Sequence, residues 1–243
     1  MTDALREATA IVRASRRVVV TTGAGMSKES GIPTFRDAPN ALWANFNPED
    51  LATRRGFSRD PALVWRWYAE RRAMIASARP HEGHVALARW EERCESFVIL
   101  TQNIDGLHTA AGSKNVVELH GNIFRYKCFD NDHAVEGPFP TDHVPPRCAC
   151  GSLVRPAVVW FGESLDPAHL EAADAALSWC DLLVVVGTSG LVYPAAGFAL
   201  AAKESGARVI EVNPEQTQLT EIANVFVAGG ARTILPELAG QSG

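Results

Sequence analysis

Along this 243-residue chain, five apolar runs each end in glycines, amides, hydroxyls or carboxylates, residue types suited to holding phosphate and ribose. RVVVTT runs into Gly23-Ala24-Gly25, SFVILTQ into Gln102-Asn103-Ile104-Asp105, and DLLVVVGTS finishes in Gly187-Thr188-Ser189. ARVIEVNP carries Asn213-Pro214-Glu215, and NVFVAGGA carries Gly229-Gly230-Ala231. Glycines let a backbone approach a pyrophosphate, while amides and hydroxyls suit ribose hydroxyls and an adenine. Any one of these ends is ordinary turn chemistry; five on one sheet edge point to a dinucleotide, NAD. The G-A-G lacks the third glycine of the dinucleotide fingerprint, which weighs against a hydride-transferring oxidoreductase. After it come Ser27, Glu29 and Ser30, then Pro33 and Phe35-Arg36-Asp37, a loop of a make-up that folds over a ligand.

The runs at 17–22, 96–102, 181–189, 207–214 and 224–231 read as buried strands. Helix-like HVALARWEERC, HLEAADAALSW and PAAGFALAAKESG precede the second, third and fourth. The alternation predicts an α/β fold: a Rossmann-like, doubly wound, mostly parallel sheet with helices on both faces and ligands beyond the carboxyl ends of its strands. Two stretches do not fit the sheet. In 38–80, Asp60 can cap a helix that Pro61 begins, and 122–155 is rich in Pro, Cys, His and Asp. Both are expected to build a smaller inserted lobe beside a dinucleotide-binding domain of 1–37, 81–121 and 156–243, with the substrate in the cleft between them.

A hydrophobic content of 47% suffices for a core, and a net charge of -5 disfavours a nucleic-acid partner. No apolar run approaches the roughly 20 residues that span a bilayer, so no membrane association is expected. MTDALREATAIVRAS reads as an amphipathic helix and not as a signal sequence, which makes the cytoplasm the expected location. Five cysteines, an odd number, do not make a secreted disulfide framework. Cys94 and Cys180, flanked by apolar segments, read as small buried hydrophobes.

The ordered motifs GAGMSKESGIPTFRD (23–37), TQNIDGLH (101–108), ELHGN (118–122), RPAVVWFGE (155–163), GTS (187–189) and VNPE (212–215) resemble those of the sirtuins over nearly the whole chain. The subgroup it is similar to is class III, the NAD-dependent protein deacylases of the bacterial type. The resemblance implies acylated lysine side chains of proteins as substrates, with release of nicotinamide and O-acyl-ADP-ribose. It makes His120 the catalytic base toward a ribose hydroxyl; by itself a histidine before a glycine reads as structural. Asn103 and Asp105 become catalytic residues lining the nicotinamide pocket, a carboxylate and an amide able to orient a carboxamide, ribose or water. The implied cofactor contacts are Gly23, Ala24, Gly25, Ser30, Thr34, Phe35, Arg36, Trp43, Gln102, Ile104, Gly187, Thr188, Ser189, Asn213, Pro214, Glu215 and Ala231, Phe35 and Arg36 belonging to a loop that excludes water. Val159, Phe161, Gly162 and Glu163 are expected along the substrate peptide, paired as an added strand.

Tyr68 and Arg71, three apart, share a helical face. In the class III pattern this pair reads the distal carboxylate of a succinyl- or malonyl-lysine, and Ala52 leaves room for the longer acyl chain. A preference for dicarboxylic acyl groups is expected, with deacetylation retained. One departure stands out. Sirtuins carry two C-x-x-C pairs for a structural zinc, whereas here Asn131 follows Cys128 at the pair's second position and the other pair is Cys148-Ala149-Cys150. Three thiolates remain, with Asp130, Asp132, His133 or His143 available as a fourth ligand, and zinc is left open. Protein mono-ADP-ribosyltransfer and a weakly active NAD-sensing module stay as alternative readings.

Overall fold

The computed structural model describes residues 2–33, 48–139, 145–190 and 195–240. The chain begins with α1 (Asp3–Ala14), β1 (Arg17–Thr22) and α2 (Ala24–Lys28), followed by α3 (Pro48–Leu51), α4 (Arg54–Arg59), α5 (Pro61–Ser77) and α6 (Glu82–Glu91). Next come β2 (Ser96–Thr101), α7 (Leu107–Ala110), β3 (Val116–Glu118), β4 (Gly121–Cys128), β5 (Ala134–Val135) and β6 (Val154–Val158). The last part holds α8 (Pro167–Trp179), β7 (Leu182–Val186), α9 (Ala195–Glu204), β8 (Arg208–Asn213), β9 (Val225–Ala228) and α10 (Ala231–Leu238).

These elements form two compact units. The first comprises Met1–Gly31, Arg79–Leu119 and Asp166–Gly243, the second Ile32–Ala78 and His120–Leu165. The second unit is larger than the lobe expected from sequence. It takes in 156–165 because β6 pairs antiparallel with β4 and belongs to the same small sheet.

In the first unit six strands form a parallel sheet in the order β3-β2-β1-β7-β8-β9. That is the doubly wound Rossmann order, with its topological switch between β1 and β7. Alternation along the strands feeds two cores. Val18, Val20, Leu182, Val184, Ile210 and Val212 join Leu5, Val12, Leu87, Trp90 and Leu235 from α1, α6 and α10. Their neighbours Val19, Leu183, Val185 and Val209, equally buried, face the other way. α8 and α9 pack against the sheet there. Residues buried on both faces explain why these strands read as unbroken apolar runs. The short β3 did not, because VVE offers only three residues.

In the second unit β5, β4 and β6 form an antiparallel sheet in the order β5-β4-β6. Asp60 caps α5 as expected, its carboxylate accepting from the Leu63 amide at 2.9 Å, with Pro61 at the first turn. α5 buries Trp65, Trp67, Tyr68 and Arg71, which fixes which of its faces is inward. Among the described residues no helix is long and apolar enough to cross a membrane.

Candidate active site

At the switch point the two strand ends are pressed together. The Gly25 amide donates to the Gly187 carbonyl at 2.8 Å, and the Gly23 amide to Val186 O at 3.0 Å. A Cβ on Gly25 would sit 2.7 Å from Gly187 Cα, and one on Gly23 would sit 2.9 Å from Gly187 O. Gly187 has φ +59°, which disfavours a side chain there in turn. The glycines expected from sequence are therefore required first by backbone-to-backbone packing, which leaves a floor without side chains at this end of the sheet.

Three polar residues converge beside that floor. Asn103 Nδ2 donates to Gly23 O and to Ser27 Oγ, both at 2.9 Å. The Ser27 hydroxyl donates to Asp105 Oδ2 at 2.5 Å, and the Leu107 amide donates to Asp105 Oδ1 at 2.8 Å. Burial pushes the Asp105 carboxyl above the usual carboxylate range, against the pull of those two hydrogen bonds. Ser27 was not among the expected site residues. Its role depends on Asp105, 78 positions away in sequence, and only the sheet brings them together.

Gln102 Nε2 donates to Thr188 Oγ1 at 3.2 Å, and Asn213 Nδ2 donates to the Thr188 carbonyl at 2.9 Å. The ends of β2, β7 and β8 are thus joined through Thr188. The Gly229 amide continues the series to Asn213 O at 3.0 Å. Glu29 reaches the start of α10, accepting from the Arg232 amide at 3.0 Å next to Gly230 and Ala231. Beneath the polar edge lie buried histidines. His108 Nε2 meets Thr22 Oγ1 at 3.0 Å, and the Thr22 hydroxyl in turn lies 2.8 Å from that of Thr101. Burial drives the His108 pKa down to about 3 and that of His84 to about 2, so both stay neutral at ordinary pH.

Ile104 and Ser189 lie in the same turns as their hydrogen-bonded neighbours, and Ala24 opens α2. Pro214 and Glu215 follow β8 directly, and Ser30 closes the turn after α2 by donating its amide to Ser27 O at 3.0 Å. Thr34, Phe35, Arg36 and Trp43 lie outside the described residues, as does His143.

In the second unit His120 precedes β4, half-buried, with its carbonyl accepting from the Val159 amide at 2.9 Å. Gly121 follows with φ +77°. On α5, Tyr68 Oη accepts from Trp160 Nε1 at 2.9 Å, and burial raises the Tyr68 pKa to about 12. Arg71 is only 6% exposed, its guanidinium 4.8 Å from the centre of the Trp67 ring. Burial lowers its pKa and the neighbouring Tyr68 opposes the shift. Ala52 is buried, and its carbonyl accepts from the Phe161 amide at 2.9 Å.

The segment expected to pair with a peptide has four of its amides engaged: Val159 with His120 O, Phe161 with Ala52 O, Trp160 with Glu163 Oε2 at 2.8 Å, and Glu163 with Trp160 O at 3.0 Å. Added-strand pairing would fall to its carbonyls. Phe161 is 61% exposed, and Gly162 turns the chain with φ +83°. The Glu163 carboxylate, expected beside the substrate, is clasped by fully buried Arg155 at 2.6 and 2.7 Å. Arg155 in turn stacks 3.6 Å from the Trp160 ring centre. Burial alone would raise the Glu163 pKa, but the Arg155 and Trp160 hydrogen bonds hold it below the usual carboxylate range. A carboxylate pKa depressed on folding stabilises above its unfolded value and loses that contribution as pH falls through the folded one. The second unit is therefore expected to weaken below about pH 4. Glu163→Gln should flatten that acid limb in denaturant melts recorded across pH.

The Sγ atoms of Cys128, Cys148 and Cys150 and a ring nitrogen of His133 lie within 4.8 Å of one another. Asp132 turns its carboxylate to Lys127 at 2.9 Å, and Asp130 is not part of the group.

Set against known proteins, the chain matches the Sir2 family profile over residues 23–194. It is 51% identical over 229 residues to NAD-dependent protein deacylase 2 of Pyrobaculum aerophilum, covering 94% of this chain and 92% of that one. The NAD-dependent protein deacylase of Ralstonia nicotianae is 48% identical over 233 residues, 96% of this chain and 94% of its own. A solved Sir2 homolog–NAD complex superposes with a TM-score of 0.90 at 40% identity, spanning 97% of this chain and 92% of that chain. With its doubly wound sheet, its glycine-packed switch point and these matches across nearly its full length, the chain belongs to the Sir2 family.

Proposed function

We propose that the protein is an NAD-dependent protein-lysine deacylase that prefers succinyl- and malonyl-lysine and also accepts acetyl-lysine. The NAD dependence draws on the polar edge at the switch point and on the names of relatives that share about half the sequence. The acyl preference is carried by one observation, an arginine buried to 6% exposure beside Tyr68 on α5. A guanidinium with its charge already desolvated offers a two-pronged donor set to a carboxylate, and a buried tyrosine hydroxyl adds a third donor.

NAD supplies the electrophile, since its nicotinamide–ribose bond breaks as the acyl oxygen of the substrate lysine attacks the ribose. In this reading the chain's residues set up that step and the next. Gly23, Gly25 and Gly187 keep the floor open for the pyrophosphate, while Thr188, Ser189, Asn213 and Ala231 take the adenosine half. Asp105, held by Ser27, and Asn103 orient the carboxamide and ribose. By family resemblance Phe35 and Arg36 exclude water from the reactive ribose, and Ser30, Thr34 and Trp43 are further cofactor contacts. His120 accepts the proton of the ribose hydroxyl that attacks the acyl carbon, after which the lysine amine leaves and a water molecule adds to the acyl carbon, freeing O-acyl-ADP-ribose. Phe161, Gly162 and Val159 meet the peptide, and Ala52 leaves room for the acyl chain.

The test supplies NAD and one peptide bearing acetyl-, succinyl- or malonyl-lysine in turn, and follows nicotinamide release together with peptide mass. Faster release with the acidic acyl groups, matched by loss of the acyl mass, is expected. Equal or faster turnover of acetyl-lysine would overturn the preference. A peptide gaining ADP-ribose would make the protein a transferase, and no release with any peptide would make it an NAD-binding module.

A further inference from the structure

We propose that Trp160 is a positioning residue for acyl selectivity: its indole N–H bonds to Tyr68 Oη and so leaves the Tyr68 hydroxyl as a donor toward the distal carboxylate of the substrate. This role rests on the deacylase reading given above, and it adds to the acyl pocket a side chain that was not among the expected site residues.

Donor chemistry fixes the direction of the bond. An indole N–H can only donate, so in the 2.9 Å contact Tyr68 Oη is the acceptor and its own proton points elsewhere. Among the described residues no acceptor meets that proton. Tyr68 is 4% exposed, and the burial that raises its pKa to about 12 keeps the proton on the oxygen at neutral pH. An ionised carboxylate offers acceptors only, which is what a hydroxyl held in this way requires.

Without the indole the oxygen would need another donor. Arg71 stands three residues further along α5, close enough that it and Tyr68 each shift the other's pKa. Were Oη to take an N–H from Arg71, hydroxyl and guanidinium would pair with each other, and one prong of the fork that reads a carboxylate would be consumed. With Trp160 supplying the donor, Arg71 is not called on for it.

Trp160 can serve because it is itself immobilised. It is buried, the Arg155 guanidinium lies 3.6 Å from its ring centre, and the Phe57 ring packs at 5.4 Å. Its backbone amide donates at 2.8 Å to Glu163 Oε2, the same oxygen that Arg155 Nη2 holds at 2.7 Å. One charge pair therefore fixes both the ring and the backbone of this residue. The next amide, that of Phe161, donates to Ala52 O at 2.9 Å. Successive residues of the segment proposed to meet the peptide are thus bonded to Tyr68, which reads the acyl end, and to Ala52, which leaves it room. A single short stretch of chain sets the register of peptide and acyl pocket together.

The experiment measures kcat and KM with NAD and one peptide carrying succinyl- or acetyl-lysine, in the wild type, Trp160→Phe, Tyr68→Phe and the double variant. Phenylalanine keeps an apolar ring and removes the N–H. Trp160→Phe should lower the succinyl-to-acetyl ratio of kcat/KM about three- to tenfold, the worth of one hydrogen bond, chiefly through a higher KM for the succinyl peptide. In the Tyr68→Phe background the same change should move that ratio by less than about twofold, because the oxygen it acts through is gone. A loss shared equally by both peptides overturns the proposal and makes Trp160 a structural residue. An equal fall in the ratio with and without the Tyr68 hydroxyl overturns it as well. A wild type that does not favour succinyl-lysine sinks the acyl preference and this role with it, whereas a wild type that does, beside an unchanged ratio in Trp160→Phe, sinks this role alone. Should Trp160→Phe fail to fold, the assigned indole N–H resonance of Trp160 decides: the succinyl peptide should shift it in the wild type and not in Tyr68→Phe, and an equal response to the acetyl peptide overturns the proposal.

Discussion

Replacing His120 with tyrosine is expected to lower kcat for deacylation by about 10²- to 10⁴-fold, the range a positioned general base contributes, while NAD binding and thermal stability stay close to wild type. The backbone around this residue is held by contacts a new side chain leaves alone. Leu119 donates its amide to Thr101 O at 2.9 Å, His120 O accepts from Val159, and the φ +77° turn is made by Gly121. His120 is half-buried, so the change does not put a phenol in place of a core side chain. A phenol does not accept a proton near neutral pH, whereas an imidazole does. Nicotinamide release and product mass measured with an acyl-lysine peptide, alongside NAD affinity by calorimetry, separate the cases. Unchanged turnover would remove His120 from the chemistry; lost NAD affinity together with lost turnover would make it a structural residue.

The central strands β1, β7 and β8 of the large sheet were legible because they are buried on both faces, so apolar residues follow one another without alternation. Their polar ends were legible for a related reason, since a strand that stops at a packed edge needs turn residues there. The small sheet was hidden by its irregularity. β4 carries a register break between Asn122 and Tyr126, β6 contains Pro156, and β5 is two residues long. None of these leaves a clean period of two. At the site, residue type announced Asn103 and Asp105 but not Ser27, whose part is set by a partner across the sheet. Residue type says nothing of the partner at Glu163, whose carboxylate is held by Arg155 eight residues earlier in the chain. At the cysteine cluster the sequence left Asp130, Asp132, His133 and His143 open as companions to the three thiols, and among the described residues it is His133 that the turn at left-handed Asp132 brings to them.

Arg71→Met tests the acyl pocket with the second large effect. Methionine keeps most of the apolar length of the side chain and removes the charge, so the contact of residue 71 with the Trp67 ring on the same helix is largely retained. A hydrogen-bonded charge pair is worth about 1.5–3 kcal/mol, so kcat/KM for succinyl- and malonyl-lysine should fall roughly 10- to 150-fold. Acetyl-lysine has no distal carboxylate to lose, and relieving the cost of a buried guanidinium should leave its turnover unchanged or raise it. Selectivity therefore inverts while the chemistry persists. The neighbouring hydroxyl gives an independent reading, because Tyr68→Phe removes one donor but leaves Arg71 in place, and should cost the acidic substrates less than Arg71→Met does. A uniform decline of all three substrates in Arg71→Met would mean that the arginine supports the fold of α5 and reads no carboxylate. A selective decline would assign the pocket's specificity to one buried charge, because ribose chemistry is common to every acyl group and cannot discriminate among them.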